Sequence, residues 1–474
     1  MKRQGSGIRD QGSGEGARRR PVSAGPTRAA AEAAGKITPA RRAAFEILTL
    51  VGEGKGHSDE LLHGARTEGL SAEDRNLTTA LVMGVLRWLI ALDARVRGYL
   101  ERPDQRLAEP VAWALRLGAF QLLYMDRIPA HAALSESVEL CRWAGQPQAT
   151  GMVNAVLRKV AAAQKAGTAP AAPIFERTAA FAERLGHPAW LVERWVAAYG
   201  REAALKICEA GQREAGDGAM FAEGSAEAET ALPLSIPIPI PIPKLDDGSR
   251  LVAELAAAAA PGAKTVWDCC AAPGGKTLVL VLREPDAEVL ATDVSRRRVG
   301  QMEARLARYG VGPRVRCGVA DATGVKGADD TDDAQEVRGE FDLILCDVPC
   351  SGTGTLGRNP EIRHFLEPSD LTRQAARQRA ILEGALKRLA VGGRLVYSTC
   401  SLEPEENERV VEAVMTGAEF RLAPVEGLLE GLRAAGVLRE GVEWRSMMRE
   451  GALRTLPGVH GCDGFYAVVV ERVE

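Results

Sequence analysis

From Thr38 to about Val160 the apolar positions recur at helical spacing. Ala44, Ile47, Leu48 and Val51 fall on one face of a helix that Thr38 can cap, with Pro39 in its first turn. Residues 74–89, 108–124, 135–143 and 149–163 repeat the pattern, and no strand-like alternation interrupts them. This stretch is therefore predicted to be an all-α domain. A further helix is expected over 188–210, carrying Trp190, Leu191, Val192 and Trp195 and bridging to the part that follows.

From Lys264 the period changes. Short β-rich runs at 265–269, 288–292, 314–319, 341–346 and 394–398 are interspersed with helical patterns such as 296–309 and 372–389, and 464–471 reads as a final strand. Strand-helix alternation predicts an α/β domain with a parallel, doubly wound sheet and ligands at the carboxyl ends of its strands. Residues 1–36 are rich in Gly, Arg and Ala, include Arg18-Arg19-Arg20, and carry too little apolar surface to offset ordering entropy. They are expected to be a disordered tail, either merely solvated or weakly tethering RNA, and Asp10 and Glu15 argue against a transit peptide. Residues 211–243 end in Ile236-Pro237-Ile238-Pro239-Ile240-Pro241-Ile242-Pro243. Alternating prolines remove every second N–H and force extended geometry, so the run is a polyproline-like spacer or an edge segment. Residues 329–333 read as a solvated acidic loop. The expected organisation is a tail at 1–36, an all-α domain at 37–165, a helical connector and Pro/Ile linker at 166–250, and the α/β domain at 251–474.

Composition narrows the class. The chain has 474 residues, 46% of them hydrophobic, and a formal net charge of −3, which does not advertise a polyanion partner but leaves room for local basic patches. Nine cysteines without a C-x-x-C pair point to reduced thiols, with neither a disulfide framework nor a zinc site, and no metal is expected. The sequence holds no run of 18 or more apolar residues, so no membrane span is expected, and a cytoplasmic enzyme is the plain reading.

The loop Cys270-Ala271-Ala272-Pro273-Gly274-Gly275-Lys276 follows a predicted strand and opens a helix. A phosphate-binding loop of the ATPase type needs a glycine where Cys270 stands, so that reading is set aside. Its small residues let the backbone approach a nucleoside. Asp293, after the second strand, is placed to accept from ribose hydroxyls, its alternative being a helix cap before 295–298. Asp321, after the third strand, is placed to accept from an adenine amino group, or caps its own loop. Together these positions indicate an adenosine cofactor, for which S-adenosylmethionine is the best candidate.

Two cysteine motifs stand at later strand ends, around Cys350 and Cys400. A thiol beside a methyl donor has a well-motivated use on cytosine. Carbon 5 of that base is a poor nucleophile until a thiolate adds to carbon 6, and an acid near N3 assists the addition. At these residues the chain resembles the RNA 5-methylcytosine methyltransferases of the NOL1/NOP2/Sun type. The matching signatures run from Asp268 to Lys276, over Asp347-Val348-Pro349-Cys350-Ser351-Gly352-Thr353-Gly354, and from Tyr397-Ser398-Thr399-Cys400-Ser401 to Asn407-Glu408. The helical domain is similar to the RNA-binding NusB family through Asp74-Arg75, Gly84-Val85-Leu86-Arg87-Trp88 and Asn154-Ala155-Val156-Leu157-Arg158.

The resemblance implies a Rossmann-like S-adenosylmethionine-dependent methyltransferase domain behind an N-terminal all-α NusB-like domain. It implies that Cys400 is the nucleophile, that Cys350 assists product release, that Asp347 faces the base edge beside the cofactor and that Lys276 orders the site. The pairing of domains implies 16S rRNA as the substrate, free or in an assembly intermediate; a monomer is expected. A tRNA methyltransferase and a non-catalytic RNA-binding assembly factor are the alternatives, and the intact cysteines and carboxylates argue against the second. Cys269 and Cys270 are expected to be packing or loop residues, and Cys141, Cys208, Cys317, Cys346 and Cys462 to be inert. Arg358 and Arg363, in the segment 358–363, are expected to contact substrate phosphates or to be solvated, as are Arg41, Arg42, Arg75, Arg87 and Arg158 on helix surfaces. His364 stands where the family carries an aromatic residue. Segment 211–243 lacks the Arg-Val-Asn pattern that opens the family's RNA-binding subdomain.

Overall fold

The protein is described from a computed structural model covering residues 33, 35–167, 177–213, 220–221, 245–324 and 337–474. The Ile-Pro run, the acidic stretch 329–333 and nearly all of the expected tail lie outside these residues.

The N-terminal part is helical throughout, as its periodicity predicts. Its larger helices are α1 (Pro39–Gly52), α2 (Ala72–Arg97), α3 (Glu109–Tyr124), α4 (Ala130–Trp143) and α5 (Thr150–Lys165). Ile47, Leu48, Leu81, Leu86, Leu115 and Leu157 close the core between them. Thr38 stands at the N-cap of α1, but its side chain does not cap. Its hydroxyl donates instead to Glu136 of α4 at 2.8 Å, and Arg41 binds the same carboxylate at 2.9 Å. The acceptor side of the same hydroxyl is taken by the Arg41 guanidinium at 3.0 Å in place of a helix N–H. Helix α2 starts at Ser71, whose hydroxyl accepts from the Asp74 N–H, and runs 26 residues where the pattern predicted a shorter segment. It is long and apolar enough to cross a membrane, yet Leu81, Val82, Val85, Leu86 and Leu92 pack inside the bundle.

The connector contains α6 (Thr178–Arg184), α7 (Ala189–Tyr199) and α8 (Arg201–Gly211). The single helix expected over 188–210 is two, because Gly200 adopts φ +81°, a conformation that side chains disfavour and that turns the chain. Phe181, Leu191, Trp195 and Ile207 then pack with Leu356, Leu402 and Leu456 of the α/β domain.

That domain is built on α9 (Asp247–Ala259), α10 (Gly275–Arg283), α11 (Arg296–Arg308), α12 (Pro368–Leu386), α13 (Glu408–Val414) and α14 (Glu426–Ala434). Helix α9 begins ahead of the boundary expected at residue 251. The strands are β1 (Thr265–Asp268), β2 (Glu288–Asp293), β3 (Val315–Val319), β4 (Phe341–Asp347), β5 (Leu389–Thr399), β6 (Phe420–Ala423), β7 (Met448–Arg449), β8 (Ala452–Arg454) and β9 (Tyr466–Arg472). They form one sheet in the order β3-β2-β1-β4-β5-β9-β8-β7, with β6 also paired to β9. Strands β1 to β5 are parallel, as expected, and β9 runs antiparallel to β5. The chain winds outward from β1 to β3 and then returns to start β4 beside β1, so a crevice opens at the carboxyl ends of those two central strands. One face of the sheet is covered by α9, α10, α11 and α14, and the other by α12 and α13. The Rossmann-like α/β class and the all-α N-terminal domain are both borne out.

Candidate active site

The strand ends bring the expected residues together. Cys270, Ala272, Asp293, Asp321, Asp347, Cys350 and Cys400 line one cleft, with Val294, Arg298, Ala322, Arg377 and Ile381 among its other walls. The loop after β1 is anchored by the Ala271 N–H donating to the Thr292 carbonyl at 2.9 Å, and it turns through Gly274 at φ +89° before Gly275 opens α10. Pro273 lies outside that cleft, on the α11 side of the loop. The Asp268 carboxylate beneath the loop accepts from the Thr277 hydroxyl at 2.7 Å.

Asp293 is 4% exposed and ends β2. It is not the cap of α11, since Ser295 is the residue that accepts from the Arg298 N–H. One Asp293 oxygen accepts from the Ser295 N–H at 3.0 Å and the other lies 3.2 Å from the Arg298 guanidinium, which also donates to the Ala272 carbonyl at 2.9 Å. Asp321 does cap its own loop, accepting from the Thr323 N–H at 2.9 Å, while facing the cleft.

Strands β4 and β5 pair with Asp347 opposite Ser398, which places the two cysteine loops side by side. Ser398 donates to one Asp347 oxygen at 2.6 Å, and the Lys276 ammonium sits 2.7 Å from the other. Burial works against the charge on Lys276. Asp347 and the nearby Cys400 sulfur more than offset it, so the lysine pKa is raised and the amine stays protonated. The Cys350 and Cys400 sulfurs lie 3.2 Å apart. The hydrogen bond with Cys400, followed by burial, holds the Cys350 thiol well above its ordinary range, and either sulfur can be the donor of that pair.

Glu406 was not among the expected site residues. It is fully buried and accepts from the Ser351 N–H at 2.8 Å, the Ser401 hydroxyl at 2.5 Å, Gln378 at 3.0 Å and the Ser351 hydroxyl. It lies within a recognised motif, but which hydroxyls converge on it is a property of the fold. The remaining thiols are removed from the cleft except at its floor, where Cys269 and Cys270 also contribute. Burial pushes Cys141 and Cys317 to about 11 and Cys208 to about 12.

Several basic residues are placed differently from expectation. Arg363 is 2% exposed and donates to the carbonyls of Gly211 and Leu356 at 2.9 and 3.1 Å, with those of Gly186 and Arg87 at 3.3 and 3.4 Å. It ties the connector and the helical domain to the α/β domain and has no surface to offer a phosphate. Glu361 beside it accepts from Ser58 of the helical domain, and His364 meets the Leu86 carbonyl at 2.6 Å. Arg87 donates to Gly357 across the same interface and Arg41 is buried on Glu136, whereas Arg42, Arg75 and Arg158 are exposed. Arg358 is held by Asp246 and Asp463.

Comparison with known proteins agrees with this architecture. A model of the 16S rRNA methyltransferase RsmB/F family matches residues 255–471, and a NusB family model matches residues 38–162. Ribosomal RNA small subunit methyltransferase B of Xanthomonas campestris is 34% identical over 92% of this chain and 98% of its own length. The protein of the same name from Vibrio cholerae is 31% identical over 88% of this chain and 94% of its own. The crystal structure of PH0851 superposes with a TM-score of 0.65 at 21% identity, covering 92% of this chain and 99% of that one, a likeness of fold.

Proposed function

The chain belongs to the RsmB/F family of 16S rRNA methyltransferases, and from that premise we propose that it methylates carbon 5 of a cytosine in small-subunit rRNA through a covalent adduct with Cys400. The observation that carries this reading is the pair of sulfurs 3.2 Å apart beside the Lys276–Asp347 pair. A methyltransferase acting on an already nucleophilic atom needs neither thiol.

The cleft suits S-adenosylmethionine as the methyl source. Asp293 and Asp321 offer acceptors at successive strand ends, as ribose hydroxyls and an adenine amino group require, and Val294, Ala322 and Ile381 give an apolar wall between them. When bound, this cofactor supplies an electrophilic methyl group. The rest of the chemistry falls to the protein. The Cys400 thiolate forms a bond to carbon 6 of the cytosine, and the displaced ring electrons make carbon 5 nucleophilic. Asp347, held between Ser398 and Lys276, faces the base edge, and the Lys276 ammonium places a positive charge where the ring gains electrons. After methylation the carbon 5 proton passes to water, the C–H electrons re-form the ring double bond, and the Cys400–carbon 6 bond breaks with its electron pair returning to sulfur as the Cys400 thiolate. Cys350, whose sulfur lies 3.2 Å from that of Cys400, assists that release by hydrogen bonding to the departing sulfur. The helical domain, of the NusB family, would hold the RNA by surfaces such as those of Arg42, Arg75 and Arg158.

Bisulfite sequencing of RNA from cells lacking the gene, and from the same cells supplied with the native or Cys400→Ala protein, tests the proposal. One 16S rRNA cytosine should lose protection on deletion and regain it only with the native protein. Unaltered rRNA together with a changed tRNA cytosine would contradict the substrate, and full protection with Cys400→Ala would contradict the mechanism.

A further inference from the structure

We propose that Glu406 is a positioning residue that sets the distance between the two thiols, so that the cysteine that adds and the cysteine that releases act as one unit. This rests on the roles proposed for Cys400 and Cys350.

The geometry is symmetric about the carboxylate. Ser351 follows Cys350 and Ser401 follows Cys400. Glu406 takes the backbone N–H and hydroxyl of the first and the hydroxyl of the second, and the two serine oxygens are 3.1 Å from each other. A third element is drawn in by Gln378 of α12, which donates to Glu406 and to the Pro349 carbonyl, both at 3.0 Å. The carboxylate itself is fully buried. It has no access to substrate, so it acts through the loops it holds.

An anion in an apolar interior is tolerated only where donors satisfy it, and here they come from both cysteine loops and from α12. Such a node resists any motion that separates the loops, because each donor lost leaves charge unpaired. The adjacent residue Asn407 fastens the second loop alone, accepting from Thr399 at 2.5 Å and donating to the Ser401 carbonyl at 2.9 Å. Glu406 thus joins the loops at the serines that follow the two cysteines, beside the backbone bond from the Gly354 N–H to the Cys400 carbonyl, and Asn407 is a brace within one of them. Glutamine at 406 fills the same volume but offers a single acceptor oxygen to the same donors, so the register should loosen without a cavity.

Two readouts on the full-length protein separate this inference from the proposed reaction. The first is the equilibrium in which Cys350 and Cys400 are oxidised to a disulfide by oxidised glutathione, releasing two reduced glutathione molecules, with the product mapped by peptide mass spectrometry. Glu406→Gln should require at least a tenfold more oxidising glutathione ratio for half-conversion than the native protein. Ser351→Ala, which keeps the carboxylate, should require about threefold and serves if the glutamine variant does not fold. An unchanged ratio in the variants, or no Cys350–Cys400 disulfide in the native protein, overturns the proposal. The second readout uses RNA and S-adenosylmethionine. Glu406→Gln should accumulate covalent adduct, as a failure of release demands, and should add little to the defect of Cys350→Ala. Additive defects would show that Glu406 acts elsewhere. If the glutathione ratio shifts but no cytosine is methylated by the native protein, the reaction assignment falls and the coupling of the loops stands.

Discussion

Asp268 ends β1 with its carboxyl group buried, and that burial, opposed by the Thr277 hydrogen bond and reinforced by the Asp347 charge, pushes its pKa up to about 7. The unfolded value is about 3.9. A folded pKa above the unfolded one means that the native state binds the extra proton. The stabilisation is complete below about pH 4 and is lost as pH rises through 7. Asn at 268 keeps an acceptor for Thr277 and carries no charge. Urea denaturation of Asp268→Asn should therefore show its stability relative to the native protein improving by about 2 kcal/mol or more between pH 5 and pH 8. A difference independent of pH would place Asp268 outside this titration. Asp293 makes a second prediction at this scale. Its replacement by alanine should weaken S-adenosylmethionine binding by about 1.5–3 kcal/mol, the order for losing a charge-assisted acceptor. Calorimetry showing unchanged affinity would leave Asp293 with only its Ser295 and Arg298 contacts. Asp347, Cys350 and Cys400 were legible in the sequence because their motifs stand at the ends of β4 and β5, and Lys276 because its loop opens the helix after β1. Arg363 was not, because an arginine in a polar loop reads as exposed, and the carbonyls it meets come from distant segments.

Among the elements, the cysteine loops and the turn before β9 meet at Gly354. Its N–H donates to the Cys400 carbonyl at 2.9 Å, and its own carbonyl accepts from the Gly464 N–H at 2.8 Å. A Cβ at this position would lie 2.8 Å from the Cys400 oxygen and collide with the Gly464 carbonyl. Gly354→Ala must push the loops apart, so methyl transfer should fall at least tenfold while cofactor affinity is kept, with a stability loss of about 1–3 kcal/mol. Full activity in a transfer assay would contradict the close packing. The parallel strands were readable because buried β-branched runs are short and bounded by helical periodicity. Strands β6 to β8 and α14 were not, since their few residues carry neither a clear alternation nor a long apolar face and gain their structure from pairing or packing. Helix α9, capped by Asp246, is as amphipathic as α1 and was missed because it straddles the domain boundary expected at residue 251.

For the molecule as a whole, the helical domain and the connector are clamped to the catalytic domain by Arg363, Glu361, Arg87 and His364. Burial lowers the Arg363 pKa to about 9, which still leaves the guanidinium charged at neutral pH. Arg363→Ala strands the carbonyls of Arg87, Gly186, Gly211 and Leu356 and should cost on the order of 3 kcal/mol or more. Thermal unfolding and limited proteolysis should both show the loss, with cleavage favoured between the domains. A stable variant with weakened RNA binding would instead restore a phosphate-contacting role. The fusion of the domains was legible from the change of period near residue 264, but their fixed docking was not, because it depends on side chains far apart in sequence. The central claim, that the full chain works through two thiols with separate tasks, is tested most directly on a denaturing gel of Cys350→Ala and Cys400→Ala, each incubated with rRNA and S-adenosylmethionine. Cys350→Ala should accumulate a covalent protein–RNA adduct and Cys400→Ala should form none; an adduct with Cys400→Ala would contradict the account.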